Sequence, residues 1–349
     1  MPALSFTGMP RPARTDLVQP DGRHVYLYDR FKPAPAGYQA PPIGEGAYER
    51  RWNPLRQEWV LVAAARQSRT FLPARSDCPL DASAAGRSTE VPASSFDAAV
   101  FENRFPSMLS GAGGGVCEVV VYTDQHDGSF ASLPAESLER LIEVWTDRYR
   151  ALSKRDDVSY VYIFENRGEQ VGVTLHHPHG QIYGYPFIPP VALSELKGRS
   201  SSCRQCRLIK NELVDGRRML LSERGVAAYV PAYARWPYEV HVATPAHRPA
   251  LPDLSTAERK ALAHGMQRVA RAYDRLFQVP MPYMMVIHQR PTDGRDYPQA
   301  HLHAEFYPIL RDSGKLKYLA GSESGAGVFI NDTLAEASAT RLRDLVETP

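Results

Sequence analysis

The chain has 349 residues, of which 43 % are hydrophobic and 23 % are charged, as in an ordinary globular protein. Its 41 basic and 39 acidic residues leave a net charge of +2, so no strong field would attract nucleic acid or an anionic membrane. No apolar run approaches the roughly 20 residues of a membrane span, and the N-terminus has no signal-peptide core. Four cysteines are too few for a disulfide framework in a chain of this length. We therefore expect a cytoplasmic protein without nucleic-acid or membrane partners.

The predicted elements form three parts along the chain. Residues 1–50 are rich in Pro and Gly and lack periodicity, which predicts an extended N-terminal arm. Residues 51–195 and 196–349 then form two halves. In the first half we expect strands at 59–64, 101–105, 119–123 and 158–165, a loop over 73–95, and a helix over 134–151 with apolar residues at helical spacing.

The second half repeats the order of the first. Residues 119–126 resemble residues 240–247, and each segment ends in a histidine. A capped helix, an apolar strand and a His-x-His element follow in both halves. This recurrence predicts an α+β fold made of two tandem halves, in which helices flank an antiparallel sheet.

The His-x-His element of the first half belongs to the pentad His177-Pro-His-Gly-Gln181. Alternation along an extended segment places His177, His179 and Gln181 on one face. Gly180 lacks a Cβ, so another backbone or a phosphate can come close. One imidazole can attack phosphorus while a carbonyl or carboxylate holds its other nitrogen. The pentad therefore predicts a phosphate site with a histidine nucleophile.

The pentad resembles the active-site signature of the galactose-1-phosphate uridylyltransferase family, in the histidine-triad superfamily. Further segments resemble the family at residues 53–62, 66–69, 101–105, 164–168, 236–239 and 306–308. The resemblance implies two histidine-triad-like halves and ping-pong transfer between UDP-glucose and galactose 1-phosphate. It implies that His179 takes the uridylyl group while Gln181 donates to the phosphoryl oxygens.

The same resemblance implies the residues that bind the substrates. The phosphate and uridine contacts map onto Arg66, Arg69, Asn103, Phe105, Asn166, Gly172 and Thr174. Lys317 and Glu323 would reach the sugar from the partner subunit of a homodimer. The chain departs from the familiar pattern at Arg104, Ser322 and Phe329, which leaves the hexose open.

Three metal sites are expected, holding zinc and either iron or a second zinc. By resemblance, the first uses Cys78, Asp81, His126 and His177, with Asp81 in place of a cysteine. The internal repeat then predicts a Cys2His2 site at Cys203, Cys206, His247 and His301. The family's second metal maps onto Glu195, His288, His303 and, in place of a histidine, Glu305. Because residues 301 and 303 would serve different metals, their rings must diverge.

Other functions remain open from the residues alone. A relative could use the same histidine chemistry on ADP-sugars or dinucleoside polyphosphates, since the motifs do not distinguish uracil from adenine. A hydrolase would differ only in admitting water to the intermediate. A non-catalytic zinc module would not need Gly180 and Gln181 around His179.

Overall fold

The computed structural model of the protein describes residues 12–109, 114–197 and 203–347. The helices are α1 (Ala135–Leu152), α2 (Pro190–Glu195), α3 (Arg204–Asp215), α4 (Thr256–Leu276) and α5 (Ala335–Glu347), and a π-helical turn spans Ser322–Ala326. Short 3-10 turns lie at Ala64–Ser68, Arg75–Asp77, Phe130–Ser132, Glu169–Val171 and Leu251–Asp253. In these ranges no helix combines the length and the apolar character needed to cross a membrane.

The strands form one large sheet and two small hairpins. Those of the first half and its N-terminal extension are β1 (Arg14–Val18), β2 (His24–Pro33), β3 (Tyr48–Asn53), β4 (Glu58–Ala63), β5 (Ala93–Glu102), β6 (Val116–Val121), β7 (Tyr160–Arg167) and β8 (His179–Tyr185). Those of the second half are β9 (Met219–Glu223), β10 (Val226–Tyr229), β11 (Val240–Ala243), β12 (Tyr283–His288), β13 (His303–Pro308), β14 (Leu310–Asp312) and β15 (Lys315–Leu316). The pairs β3–β4 and β14–β15 stand apart from the large sheet.

The large sheet has the order β1-β2-β5-β6-β8-β7-β12-β13-β11-β10-β9, and its neighbouring strands are antiparallel. The order is symmetric about the central β7–β12 pair: β8, β6 and β5 lie on one side, and β13, β11 and β10 correspond to them on the other. The predicted duplication is thus present in the sheet itself, and the predicted α+β fold with an antiparallel sheet is confirmed.

Helices α1 and α4 occupy corresponding places in the two halves and pack against each other. The predicted apolar stripe of α1, from Leu138 to Tyr149, is buried, with Trp145 completely enclosed. Helix α4 begins with a capping box in which Ser255 and Glu258 satisfy each other's backbone N–H groups. The two helices and the facing side of the sheet form one continuous hydrophobic core.

The N-terminal region, predicted as an extended arm, instead contributes strands to the large sheet and side chains to the core. Strand β2 pairs with β5, Val25 opposite Phe101, and its Val25 and Leu27 are completely buried. The short hydrophobic run over 25–28 supports this pairing, and its Pro- and Gly-rich surroundings obscured the strand in the sequence. Strand β5 likewise begins at Ala93, inside the expected loop, and ends at Glu102 rather than spanning 101–105. The three domain ranges stay predictions, and residues 1–11 lie outside the described part.

Candidate active site and metal clusters

A cavity of about 140 Å³ opens beside the pentad. It is lined by both predicted catalytic residues and by every predicted substrate residue of the first half: Arg66, Arg69, Asn103, Phe105, Asn166, Gly172, Thr174, His179 and Gln181. Residues separated by more than a hundred positions therefore meet in one place.

Strand β8 carries the pentad into this cavity. It pairs with β6, Val121 opposite His179 and Val119 opposite Gln181. Gly180 points to the other face, where a Cβ would lie 2.3 Å from the hydroxyl of Tyr122. The built Cβ would also lie 3.0 Å from the backbone carbonyl oxygen of Phe164, so the expected close backbone is present, and the hydroxyl of Tyr122 is closer still.

The ring of His179 is held in one tautomer. Its Nδ1 lies 2.7 Å from the carbonyl oxygen of His177, and because a carbonyl only accepts, Nδ1 carries the hydrogen. This leaves the Nε2 lone pair available. Enclosure by protein atoms lowers the pKa of His179, which keeps the imidazole neutral and nucleophilic near neutral pH.

The opposite wall of the cavity is ordered by local hydrogen bonds. Asn103 follows β5 and its side-chain oxygen accepts from the backbone N–H of Phe105 at 2.8 Å, closing a tight turn. The guanidinium of Arg66 donates to the carbonyl of Phe105 at 3.0 Å. Gly172 has φ = +79° and nothing within 4 Å of a built Cβ, so a ligand can approach its backbone.

A buried carboxyl lies behind the pentad. Glu165 on β7 accepts hydrogen bonds from Tyr122 at 2.7 Å and from Tyr283 at 2.9 Å. Complete burial raises the pKa of Glu165 to about 7, against the opposing effect of the two hydroxyl donors. The hydroxyl of Tyr122 thus lies next to both Glu165 and Gly180.

Lys317 and Glu323 lie elsewhere in the described part of the chain and do not line this cavity. They form a buried ion pair, with Nζ and Oε1 2.5 Å apart. Within the chain, Lys317 and Glu323 contact each other but lie outside the cavity that contains His179.

All three predicted metal clusters assemble, with the donor atoms of each group within 4.8 Å of one another. The first contains Cys78, Asp81, His126 and His177; the second contains Cys203, Cys206, His247 and His301; the third contains Glu195, His288, His303 and Glu305. The second cluster lies at the start of α3, where Cys203 caps the helix and Cys206 occupies its first turn. The identity of any bound metal is left open by this geometry.

Outer hydrogen bonds orient the histidines of these clusters. His177 and His301 each hold Nε2 on a carbonyl, that of Thr123 at 2.7 Å and that of Thr244 at 2.9 Å. Their Nδ1 lone pairs therefore face the other donors: Asp81 Oδ1 at 3.0 Å in one cluster, and the two sulfurs at 3.3–3.4 Å in the other. A hydrogen or a metal ion must lie between such atoms, so these donor sets fit a metal.

The rings of His301 and His303 do diverge. His303 holds Nδ1 on the carbonyl of His301 at 2.8 Å, and its Nε2 lies 3.3 Å from Glu305 in the third cluster. The two rings can diverge because β13 begins only at His303, so residue 301 lies in the irregular segment before the strand.

Comparison with known proteins decides the family. Residues 102–189 match the N-terminal domain of galactose-1-phosphate uridyl transferase, and residues 199–348 match its C-terminal domain. The chain belongs to the galactose-1-phosphate uridylyltransferase family. Its members are nucleotidyltransferases of galactose metabolism, and the expectation of an enzyme is confirmed.

Individual relatives agree with this assignment. The chain is 38 % identical over 318 residues to the galactose-1-phosphate uridylyltransferase of Thermotoga maritima, covering 85 % of this chain and 98 % of the relative. It is 36 % identical over 353 residues to that of Streptomyces lividans, covering 96 % and 98 %. A solved uridylyltransferase structure matches with a TM-score of 0.77 and 32 % identity, covering 86 % and 98 %.

A solved ADP-glucose phosphorylase from Arabidopsis thaliana matches with a TM-score of 0.67 at 20 % identity, covering 85 % of this chain and 99 % of that one. At this identity the likeness concerns the fold.

Proposed function

We propose that this family member transfers a uridylyl group from UDP-glucose to galactose 1-phosphate through a covalent intermediate on His179. The observation that carries the proposal is the free Nε2 of a tautomer-locked, neutral His179 at the wall of a cavity lined by two arginines. Nε2 attacks the α-phosphorus, the bond to the bridging oxygen breaks, and glucose 1-phosphate leaves with that oxygen. Galactose 1-phosphate then attacks the same phosphorus, the P–N bond breaks, and UDP-galactose forms.

Of the other residues that line the cavity, some would stabilise charge and others would position the substrate. Arg66, Arg69 and the amide of Gln181 are the cations and donor that would stabilise charge on the phosphoryl oxygens as it redistributes. The Asn103–Phe105 turn would hold the uridine. Asn166, Gly172 and Thr174 lie along the wall that the phosphates would follow.

Intact-mass analysis after mixing the protein with UDP-glucose alone tests the intermediate. We expect the mass of one uridylyl group on the wild type and none on His179→Ala, whose turnover should fall by on the order of 10⁴-fold or more. His176→Ala is a matched control, since that side chain is 62 % exposed. Labelling of His179→Ala would refute the assignment, and labelling by ADP-glucose instead of UDP-glucose would refute the nucleotide.

We also propose zinc in the two cysteine-containing clusters and iron or zinc in the third. Thiolate and imidazole donors suit zinc, and four protein ligands in a closed cluster indicate a structural role. The third cluster offers only carboxylates and imidazoles, a donor set shared by iron and zinc.

A homodimer completes the proposal, with Lys317 and Glu323 of one subunit reaching the sugar bound to the other. In support, Tyr318, Val328 and Ile330 beside this ion pair are all more than half exposed, as expected of a surface that a partner covers. None of the four cysteines forms a disulfide, which fits a cytoplasmic enzyme.

A further inference from the structure

Two further side chains adjoin the third metal cluster, and neither was predicted from the sequence. Glu239 immediately precedes β11, and His241 lies directly opposite Glu305 in the β11–β13 pairing. The Nε2 of His241 is 2.9 Å from Glu239 Oε1 and 3.3 Å from Glu305 Oε1. Both side chains are almost completely buried, at 4 % and 1 % exposure for His241 and Glu239.

Glu239 is fixed independently of any metal. Its second oxygen accepts from the backbone N–H groups of Arg235 at 2.6 Å and Trp236 at 3.0 Å. The first oxygen is thereby aimed at His241. Because Nδ1 of His241 is buried without a hydrogen-bond partner, a hydrogen on Nε2 rather than on Nδ1 leaves no N–H group unsatisfied. His241 is then a donor placed between two carboxylates.

The carboxylates around His241 favour the binding of one cation. The carboxylates of Glu195, Glu239 and Glu305 gather three negative charges, and the guanidinium of Arg235 lies 3.6 Å from Glu305. One divalent cation and Arg235 together would balance these three negative charges. Moreover, Nε2 of His303 lies 3.3 Å from Glu305 Oε1, and a cation between these two atoms could bind both of them.

We propose that the Glu239–His241 pair orients Glu305 as a ligand of a divalent cation that Glu195, His288 and His303 also bind. His241 is a positioning residue, which acts through its N–H group and not as a ligand. The inference rests on the cation site proposed for the third cluster and is independent of uridylyl transfer. Without thiolates, the site would take Mn²⁺, Fe²⁺, Co²⁺ or Zn²⁺.

Cobalt titration of the chelator-stripped full-length protein tests this role. The visible d–d absorption reports each site, and charge-transfer bands from thiolates identify the two cysteine clusters and show that they remain folded. His241→Leu removes the donor and should lower the affinity of the thiolate-free site about 10- to 100-fold. His241→Gln keeps a side-chain N–H donor and should retain most of the affinity. His288→Ala should abolish the site, and His264→Leu, on the helix surface beside Glu139, should change nothing.

Three outcomes would overturn the proposal. The first is an equal loss of cobalt affinity in His241→Gln and His241→Leu, which would make His241 a ligand. The others are an unchanged affinity in both variants, and the absence of a thiolate-free cobalt site in the wild type. If His241→Leu disturbs the cysteine-cluster bands, Glu239→Gln gives the same comparison, because it weakens the acceptor that aims His241, and its affinity should also fall. Labelling by UDP-glucose, followed separately by mass, distinguishes failure of this inference from failure of the proposed function.

Discussion

The same imidazole geometry appears twice in this molecule with different consequences. His179 and His303 each hold Nδ1 on the carbonyl two residues earlier, at 2.7 and 2.8 Å. In the first half the free Nε2 belongs to a cavity with Arg66 and Gln181; in the second it faces Glu305. In the proposed roles, the amide beside the first ring would leave it a nucleophile, whereas the carboxylate beside the second would make it a metal ligand. On this proposal the neighbouring residue, rather than the histidine, sets the chemistry.

The pH dependence of nucleotide attachment should reflect the enclosure of His179. Burial lowers its pKa below the ordinary 6.5, and only the neutral ring attacks phosphorus. Attachment is therefore expected to persist as the pH falls through 6.5 and to be lost only below it. Rapid-quench measurement of uridylyl attachment between pH 5 and 8 would show this acid limb, and a midpoint above 6.5 would contradict it.

The Glu165 carboxyl should make stability depend on pH in the opposite sense to an ordinary ion-paired acid. Burial raises its folded pKa to about 7, so between the unfolded pKa and 7 the folded state binds more protons, and stability falls as the pH rises. Glu165→Gln removes this dependence. The stability of the variant relative to the wild type should rise by on the order of 2 kcal/mol from pH 5 to 8. Urea unfolding at both pH values measures it, with exposed Glu136→Gln as the control; a parallel pH response of Glu165→Gln and wild type would refute it.

At the scale of secondary-structure elements, the sequence predicted the features that follow from hydrophobic periodicity and internal repetition. The stripe of α1 and the capping box of α4 are local patterns, and both are present where expected. The first and third metal clusters were implied by the family resemblance, and the second could be found because the two halves align, so that Cys203 follows from Cys78. The pairing of β2 with β5 and the position of His241 opposite Glu305 depend on strand order and register, which no local pattern specifies. One feature of the sequence indicates the role of His241: it lies two positions after Glu239, the spacing that places two side chains on the same face of a strand.

The start of α3 should depend on metal. Cys203 and Cys206 lie in its cap and first turn, and His301 leads into β13, so a bound zinc would tie the helix to the sheet. Cys203→Ser/Cys206→Ser should remove one zinc per chain and cost about 4 kcal/mol or more of stability, because metal binding contributes to folding. Elemental analysis and thermal unfolding measure both effects. Cys117→Ser, a buried cysteine outside the clusters, controls for loss of a thiol; unchanged zinc content in the double variant would refute the site.

At the scale of the whole molecule, the symmetric sheet gives two halves with different cavities and ion pairs. The cavity that contains His179 is in the first half, and the Lys317–Glu323 pair is in the second. Candidate metal clusters occur in both halves, and the third also takes Glu195 from the first. Within one chain this pair does not reach the cavity. The proposed homodimer would resolve the separation if its twofold axis lies where the second half of each subunit meets the first half of the other.

Mixing two inactive variants tests this sharing. In a heterodimer of a His179→Ala chain with a Lys317→Ala/Glu323→Ala chain, one site regains both an intact nucleophile and an intact sugar-binding pair. Random exchange makes half of the dimers mixed and one of their two sites whole, so about a quarter of the wild-type activity should return. His179→Ala mixed with Gln181→Ala is the control, since both changes fall in one cavity and no mixed site is complete. If the first mixture recovers no more activity than this control after subunit exchange is verified by native mass spectrometry, each site is built within a single chain.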